Sequence, residues 1–257
     1  MKININADMG ESFGAYCLGN DEELLKTVSS ANIASGFHAG DPWIMTETLQ
    51  MALDNGVSVG AHPSFPDLQG FGRRVMHIAP HELRALVLYQ IGALEGIARS
   101  LGSRVTHVKP HGALNNMACV DYDLAENIVT AMVSYDPTMI LLAPVCSELA
   151  KVGIEYGLPV ALEVFADRAY DESGQLVSRS QPGSVFSDPA DCVENVRGML
   201  NRGGIESING KIIKTDFHSI CVHGDNQESV RIAIEVREFL ESEGIEIVTL
   251  PHIVKNI

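Results

Sequence analysis

KININADMGE, residues 2–11, holds in ten residues the pattern that decides the fold of this 257-residue chain. A short β-type run, Lys2–Ala7, ends abruptly in Asp8, Gly10 and Glu11. The chain repeats this arrangement, and a longer helical pattern separates each repetition from the next. Alternation of this kind predicts right-handed βαβ units whose strands lie parallel in one sheet.

Eight strands are predicted in this way, with about seven helices between them. The predicted strands are Lys2–Ala7, Ala31–Ser35, Val57–Ala61, Arg104–Lys109, Thr138–Ala143, Pro159–Val164, His218–Val222 and Ile245–Leu250. One helix begins at Asp41-Pro42, an N-cap residue followed by proline at the first helical position. We predict an α/β fold: a distorted TIM-like (β/α) barrel of seven or eight parallel strands, forming a single domain over residues 1–257. A doubly wound open sheet is the alternative.

Ionisable side chains follow six of the eight predicted strands, each at the carboxyl end. They are Asp8, Glu11, His38, His62, Lys109, His111, Asp167, Arg168, His223 and Asp225. In parallel barrels this end carries the active site, whereas plain turns such as Asn55-Gly56 occupy the other end. One histidine at such a place is usually structural, but histidines at four strand ends together predict a catalytic or binding site. Arg73 follows the His62 loop, where it is suited to binding a carboxylate.

Composition argues against several classes of protein. The net charge of −15 disfavours a nucleic-acid partner. No window approaches eighteen apolar residues and no signal-peptide pattern precedes the first strand, so we expect neither a membrane span nor secretion. The five cysteines are odd in number and form no C-x-x-C pair, which is typical of reduced thiols in the cytoplasm. GIESINGK, residues 204–211, has the wrong spacing for a Walker A loop.

Two functional alternatives remain open at this stage. Asp8, His38, His62 and His111 could together bind a divalent metal, although no H-E-x-x-H or H-x-H motif supports such a site. The chain would then be a metal-dependent deacetylase or amidohydrolase that acts alone. The other alternative is a non-catalytic subunit that binds substrate or regulates a partner, which the density of ionisable groups disfavours. The polar segment 166–188 is long enough to be a lid or a binding loop.

Eight stretches of the chain resemble the LamB/YcsF family. They are NADMGESFG, SANIASGFHAGDP, VGAHPSFPD, FGRR, HVKPHGALNN, EVFADRAY, SRSQPG and CVHGDN, in this order between residues 6 and 226. Two positions depart from the usual family pattern: Ser35 stands where cysteine is common, and Asn115 where tyrosine is common. Neither departure alters the charged set, but a cysteine nucleophile at position 35 is excluded.

The resemblance implies a distorted β/α barrel like that of the glycoside hydrolases and polysaccharide deacetylases. It also implies a hydrolase that opens 5-oxo-L-proline to L-glutamate with consumption of ATP, together with 5-oxoprolinase subunits B and C. The loop 166–188 is the expected contact with these partners, because its Arg168 and Arg179 can meet an anionic substrate or intermediate.

Opening a lactam needs a base for water, a cation for developing charge and an anchor for the substrate carboxylate. In light of the resemblance, we expect Asp8 or His62 to be the base. Lys109 is the expected charge stabiliser, and Arg168 or Arg73 the expected anchor. The other expected site residues are Asp167 for catalysis and Glu11, His38, His111, His223 and Asp225 for substrate binding.

Overall fold

The structure, a computed structural model, describes residues 1–222 and 227–255, without the side chains of Gln227 and Glu228. Its strands are β1 (Lys2–Met9), β2 (Ser30–Ala34), β3 (Ser58–His62), β4 (His107–Val108), β5 (Ile140–Pro144), β6 (Val160–Phe165), β7 (Gly204–Glu206), β8 (Ile212–Lys214), β9 (Ser219–Val222) and β10 (Glu246–Ile247). Its helices are α1 (Asp21–Leu25), α2 (Pro42–Asp54), α3 (Pro80–Ser100), α4 (Gly112–Ala118), α5 (Tyr122–Tyr135), α6 (Glu148–Glu155), α7 (Pro189–Arg202), α8 (Gln227–Ser242) and α9 (Leu250–Val254).

Seven parallel strands close into a barrel. They pair in the order β1, β2, β3, β4, β5, β6 and β9, and β9 returns to β1 with Asn4 opposite Ser219. The predicted α/β barrel is therefore confirmed, and the open-sheet alternative is wrong because β9 pairs with both β6 and β1.

The last predicted strand, Ile245–Leu250, is mostly wrong. Only Glu246 and Ile247 are in a strand, β10, which pairs with the first residues of β1 and takes no part in closing the barrel. Helix α9 begins at Leu250 instead, with Pro251 in its first turn, where a missing N–H costs nothing. Leu250 is fully buried, so packing also favours the helix.

Helix α2 begins where the sequence predicts, at Asp41-Pro42. Asp41 caps α2 by accepting hydrogen bonds from the N–H groups of Trp43 and Ile44 at 2.8 and 3.0 Å. Ser147 and Asp188 cap α6 and α7 in the same way. No helix in residues 1–222 or 227–255 is long and apolar enough to span a membrane.

The interior of the barrel is polar. In β1, Ile3 and Ile5 belong to the apolar core that the strands form with the helices, whereas Asn4 and Asn6 are equally buried and bond to other strands. Asn4 donates to Ser30 Oγ at 2.7 Å, and Asn6 donates to Ser219 Oγ at 2.8 Å. Alternate residues of a strand point to opposite faces, so the Ile/Asn alternation of β1 builds the outer core and the inner network at once.

Candidate active site

A cavity of about 530 Å³ opens at the carboxyl ends of the strands. Its ionisable lining residues include Asp8, Glu11, His62, Arg73, Lys109, His111, Arg168 and Arg179. Phe165 and Tyr170 add aromatic surface. The structure therefore brings most of the predicted site residues around one cavity of the size that small-molecule sites have.

Lys109 lies in the wall of this cavity and is only 2% exposed. Its Nζ is 3.1 Å from Asp8 Oδ1 and 3.1 Å from Glu163 Oε2, and it donates to Asn6 Oδ1 at 3.1 Å. Burial alone would lower the pKa of Lys109, but the neighbouring carboxylates outweigh it and raise that pKa well above its ordinary value. Lys109 is therefore a fixed cation at neutral pH.

Asp8 joins Lys109 to a histidine. Its Oδ1 accepts hydrogen bonds from Lys109 and from Asn32 Nδ2, the latter at 2.9 Å, and its Oδ2 lies 3.2 Å from His62 Nε2. His62 Nδ1 is 2.6 Å from the Lys109 carbonyl oxygen. A carbonyl only accepts, so Nδ1 carries the ring proton and Nε2 faces Asp8.

Three histidines and a carboxylate converge beside Asp8, and we call Glu11, His38, His62 and His111 the histidine cluster. One ligand atom from each lies within 4.8 Å of all the others, so the cluster could hold a metal ion. The His38 and His111 rings stack with centroids 3.8 Å apart. Burial lowers the pKa of both well below the ordinary value. The metal set considered from the sequence had Asp8 where this cluster has Glu11.

The segment Phe71-Gly72 is shaped around two of these rings. Phe71 has a φ of 53°, a left-handed conformation that is unusual for a bulky residue, and its carbonyl accepts a hydrogen bond from His111 Nε2 at 2.9 Å. Gly72 follows with a φ of 63°, and a Cβ there would lie 2.8 Å from atoms of both His38 and His111. The strained backbone at Phe71 therefore lies where the carbonyl group of that residue orients the His111 ring.

The loop 166–188 forms one wall of the cavity. Arg168 is buried and donates to the carbonyl oxygens of Val177 at 2.6 Å and Ser184 at 3.3 Å, so it ties the two sides of the loop together. Burial, and then the nearby Arg179, lower the pKa of Arg168. Arg73 also lines the cavity; it is exposed, and its guanidinium lies over the Phe71 ring at 5.1 Å.

Two of the predicted site residues, His223 and Asp225, lie outside the described residues. Among the described ones, Asp167 and His38 are not in the cavity lining. The backbone carbonyl of Asp167 accepts a hydrogen bond from the Phe186 N–H at 2.8 Å. His38 contacts Glu11, which does line the cavity, with 3.1 Å between His38 Nε2 and Glu11 Oε1.

Three residues that hold the site were not predicted as part of it. Asn6 and Asn32 bond to Lys109 and Asp8, and Glu163 pairs with Lys109. Burial raises the pKa of Glu163, and Lys109 opposes that rise. Glu163 was visible as an ionisable residue near the end of a predicted strand, whereas the asparagines lie within strands and carry no such signal.

Comparison with known proteins identifies relatives along almost the whole chain. The model of the LamB/YcsF family matches residues 3–255. A protein of Azoarcus sp. (strain BH72), named as the A subunit of 5-oxoprolinase, is 55% identical over 251 residues, which are 98% of each chain. The crystal structure of a lactam utilization protein from Thermus thermophilus superposes with a TM-score of 0.92 at 42% identity, over 97% of this chain and 100% of that one.

A more distant likeness concerns the fold alone. A peptidoglycan N-acetylglucosamine deacetylase gives a TM-score of 0.51 at 12% identity, over 98% of this chain and 87% of the other. The expected likeness to deacetylase barrels is therefore confirmed at the level of architecture.

Proposed function

The chain belongs to the LamB/YcsF family, and from that premise we propose that it is the A subunit of an ATP-dependent 5-oxoprolinase. In the proposed reaction the lactam C–N bond of 5-oxo-L-proline is hydrolysed to give L-glutamate, and ATP is consumed in the same cycle. The observation that most directly supports this reaction is the group formed by Asp8, His62, Lys109 and Glu163 at the cavity. It combines a base, a proton carrier and a fixed cation, which are the parts that amide hydrolysis needs.

Asp8 is the proposed base. Lys109 and Asn32 both donate to its Oδ1, so Oδ2 is the oxygen at which a proton is taken from the attacking water. His62 faces this oxygen at 3.2 Å with Nδ1 already protonated. Its Nε2 can therefore receive the proton from Asp8 and pass it to the lactam nitrogen as the C–N bond breaks.

Lys109 is proposed to act through its charge and not as an acid. Its pKa is raised well above the ordinary value, so it holds its proton throughout the reaction. A fixed cation in the wall of the cavity stabilises the negative charge of the phosphorylated lactam oxygen as the carbonyl carbon is attacked. Glu163 and Asn6 hold the ammonium in place for this role.

Arg73 is the proposed anchor for the substrate carboxylate. Two nitrogens of the Arg168 guanidinium already donate to carbonyl oxygens of its own loop. Arg168 therefore has fewer donors left for a carboxylate, which favours Arg73 as the residue that binds the substrate. Arg168 then adds positive charge to the same region of the cavity.

ATP is proposed to be used on the partner subunits B and C. A lactam is a poor electrophile, and transfer of the γ-phosphoryl group from ATP to the lactam oxygen, with ADP as the leaving group, would activate the carbonyl carbon toward water. Loss of the amine would then give an acyl phosphate, which a second water hydrolyses to the carboxylate of glutamate and inorganic phosphate. The sequence has no Walker A loop to hold ATP, which supports a division of labour between subunits. Consumption of ATP also leads us to infer that the complex works in the cytoplasm.

Reconstitution tests this function. The purified chain with subunits B and C should release glutamate from 5-oxoproline only when ATP is present, and the chain alone should release none. Asp8→Asn, which keeps the volume of the side chain, should lower turnover by about 10²-fold or more. His81→Gln alters an exposed histidine of α3 and should leave turnover at the wild-type rate.

Two outcomes would count against the proposal. Absence of ATP-dependent glutamate release from the reconstituted complex would contradict the function itself. Wild-type turnover in Asp8→Asn would instead contradict only the role of Asp8 as base.

A further inference from the structure

We propose that the histidine cluster, Glu11, His38, His62 and His111, binds one divalent transition-metal ion with the ligand preferences of Zn²⁺. This inference goes beyond the proposed function, which requires a base, a cation and an anchor but no metal. Three observations carry it: the tautomers of two rings, the spacing of the ligand atoms, and the backbone that supports them.

The tautomers of His62 and His111 are fixed by backbone carbonyls. His62 Nδ1 donates to the Lys109 carbonyl at 2.6 Å, and His111 Nε2 donates to the Phe71 carbonyl at 2.9 Å. Each neutral ring therefore turns a lone pair toward the other, with 3.0 Å between His62 Nε2 and His111 Nδ1. Two such acceptors repel each other unless a proton or a cation lies between them. Donation of the outer N–H to a carbonyl is also the usual surrounding of metal-binding histidines.

The spacing of the ligand atoms fits a metal ion. With bonds of about 2.0–2.1 Å, the ligand atoms of a tetrahedral zinc site lie about 3.3 Å apart. Three of the six pairs bracket that value: 3.0 Å for His62 with His111, 3.1 Å for His38 with Glu11, and 3.7 Å for His111 with Glu11. The remaining pairs lie within 4.8 Å, so the side chains would draw closer around a bound ion. Three imidazoles and one carboxylate are ligands that Zn²⁺ and its neighbours in the first transition row accept.

The backbone beside the cluster shows the strain expected of a prepared site. Phe71, whose carbonyl fixes His111, has a φ of 53°. A Cβ on the next residue, Gly72, would lie too close to Ser64, to the His111 ring and to the Cβ of His38. Such strained conformations cost stability and are found where surrounding structure must place functional groups.

The position of the cluster next to Asp8 suggests what the ion would contribute. His62 belongs to the cluster and also lies 3.2 Å from Asp8. A bound ion would occupy the Nε2 lone pair that serves as proton carrier in the metal-free chain, and it would supply Lewis acidity at the edge of the same cavity instead.

Metal titration of the chain tests the proposal. Protein freed of metal by a chelator is titrated with Zn²⁺ by calorimetry and with Co²⁺ by visible absorption. We expect one equivalent of each to bind per chain, d–d bands from Co²⁺, and a higher unfolding midpoint when Zn²⁺ is present. Glu11→Gln and His38→Gln should each weaken Zn²⁺ binding by at least about 10-fold and change the Co²⁺ spectrum.

Matched controls distinguish binding at this site from nonspecific binding of metal ions at the surface. His81→Gln and Glu22→Gln replace the same residue types at exposed positions and should bind Zn²⁺ as the wild type does. Circular dichroism establishes that Glu11→Gln and His38→Gln are folded. Loss of binding in these folded variants alone supports the site.

Two results would overturn the inference. One is the absence of stoichiometric Zn²⁺ and Co²⁺ binding, which would mean that a shared proton holds His62 and His111 together. The other is unchanged binding in both Glu11→Gln and His38→Gln. Glutamate release by the reconstituted complex is measured separately, so the 5-oxoprolinase proposal and the metal proposal can fail independently.

Discussion

At the scale of single residues, Lys109 is the group on which the electrostatics of the site depend. One ammonium lies within 3.1 Å of two carboxylates, Asp8 and Glu163, and Glu163 is fully buried. Lys109→Met keeps the length of the side chain but removes its charge. It should lower the free energy of unfolding by about 3–5 kcal/mol, because it leaves buried carboxylates without their cation. It should also cut turnover by about 10²-fold or more. Urea unfolding and glutamate release measure the two effects.

A second substitution distinguishes pairing from packing at this position. Lys109→Met combined with Glu163→Gln removes the fully buried one of the two carboxylate charges that the single variant leaves without a cation. The double variant should regain much of the lost stability but none of the turnover. If Lys109→Met alone were as stable as the wild type, the ion pair would not have the importance we give it.

His107 predicts a dependence of stability on pH. It lies inside the barrel, where burial and then the Lys109 charge lower its pKa to about 3 from an ordinary value of 6.5. Between these two values the unfolded chain binds more protons than the folded one, so stability is fully present above pH 6.5 and is lost as the pH falls. As the pH falls through this range, the free energy of unfolding of His107→Gln should decrease less steeply than that of the wild type. The two slopes should differ by up to about 1.4 kcal/mol per pH unit.

The measurement for His107 is urea unfolding at a series of pH values from 7 to 4.5. His81→Gln, an exposed substitution in α3, serves as the reference. Equal slopes for the wild type and His107→Gln would show that His107 takes up no extra proton on unfolding.

At the scale of elements, the sequence predicts the barrel strands better than what they enclose. Six of the seven barrel strands overlap their predictions by four residues or more, because short apolar runs between helix signals are distinctive. The fourth is reduced to His107–Val108. Alternation in β1 predicts one apolar and one polar face, but it does not reveal that the polar face with Asn4 and Asn6 points into a closed barrel. That fact depends on pairing between β9 and β1, which are distant in sequence.

The hairpin of β7 and β8 lies outside the alternating strand pattern, although the sequence carries a signal for it. Asn209-Gly210, within the stretch compared with a Walker A loop, is a dipeptide favoured in tight hairpin turns. Gly210 has a φ of 84°, a conformation that glycine adopts readily, and β7 and β8 pair in antiparallel register around it.

Close packing between β3 and β4 gives a prediction at this scale. A Cβ at Gly60 in β3 would overlap the His107 ring of β4. Gly60→Ala should therefore push His107 away from Asn32, which it contacts at 3.0 Å, and so disturb the bond from Asn32 to Asp8. We expect a lower unfolding midpoint together with reduced turnover.

Gly92→Ala is the matched control for Gly60→Ala. Gly92 lies within α3, and a Cβ there meets nothing within 4 Å. Alanine should stabilise that helix by about 0.5–1 kcal/mol and leave turnover unchanged. If Gly60→Ala behaved like Gly92→Ala, the packing argument for the inner network would be wrong.

At the scale of the whole molecule, the charge of the surface opposes the charge of the cavity. The chain carries a net charge of −15, yet Arg73, Arg168 and Arg179 line the cavity. An acidic protein repels an anionic substrate such as 5-oxoproline, so a local group of arginines is needed to attract it. Arg73→Gln and Arg179→Gln should each raise KM for 5-oxoproline several-fold and change kcat much less, because both side chains are exposed and the proposed mechanism gives neither a role at the reacting atoms. The reference is Arg231→Gln on α8, whose guanidinium pairs with Glu235 in the same helix.

The increase in KM should shrink as ionic strength rises, since salt screens exposed charges over about 8–10 Å. Steady-state kinetics of the reconstituted complex at low and high salt measure both effects. A fall in kcat at unchanged KM would instead assign these arginines to the transition state, and identical kinetics in all three variants would show that the arginines do not gather the substrate.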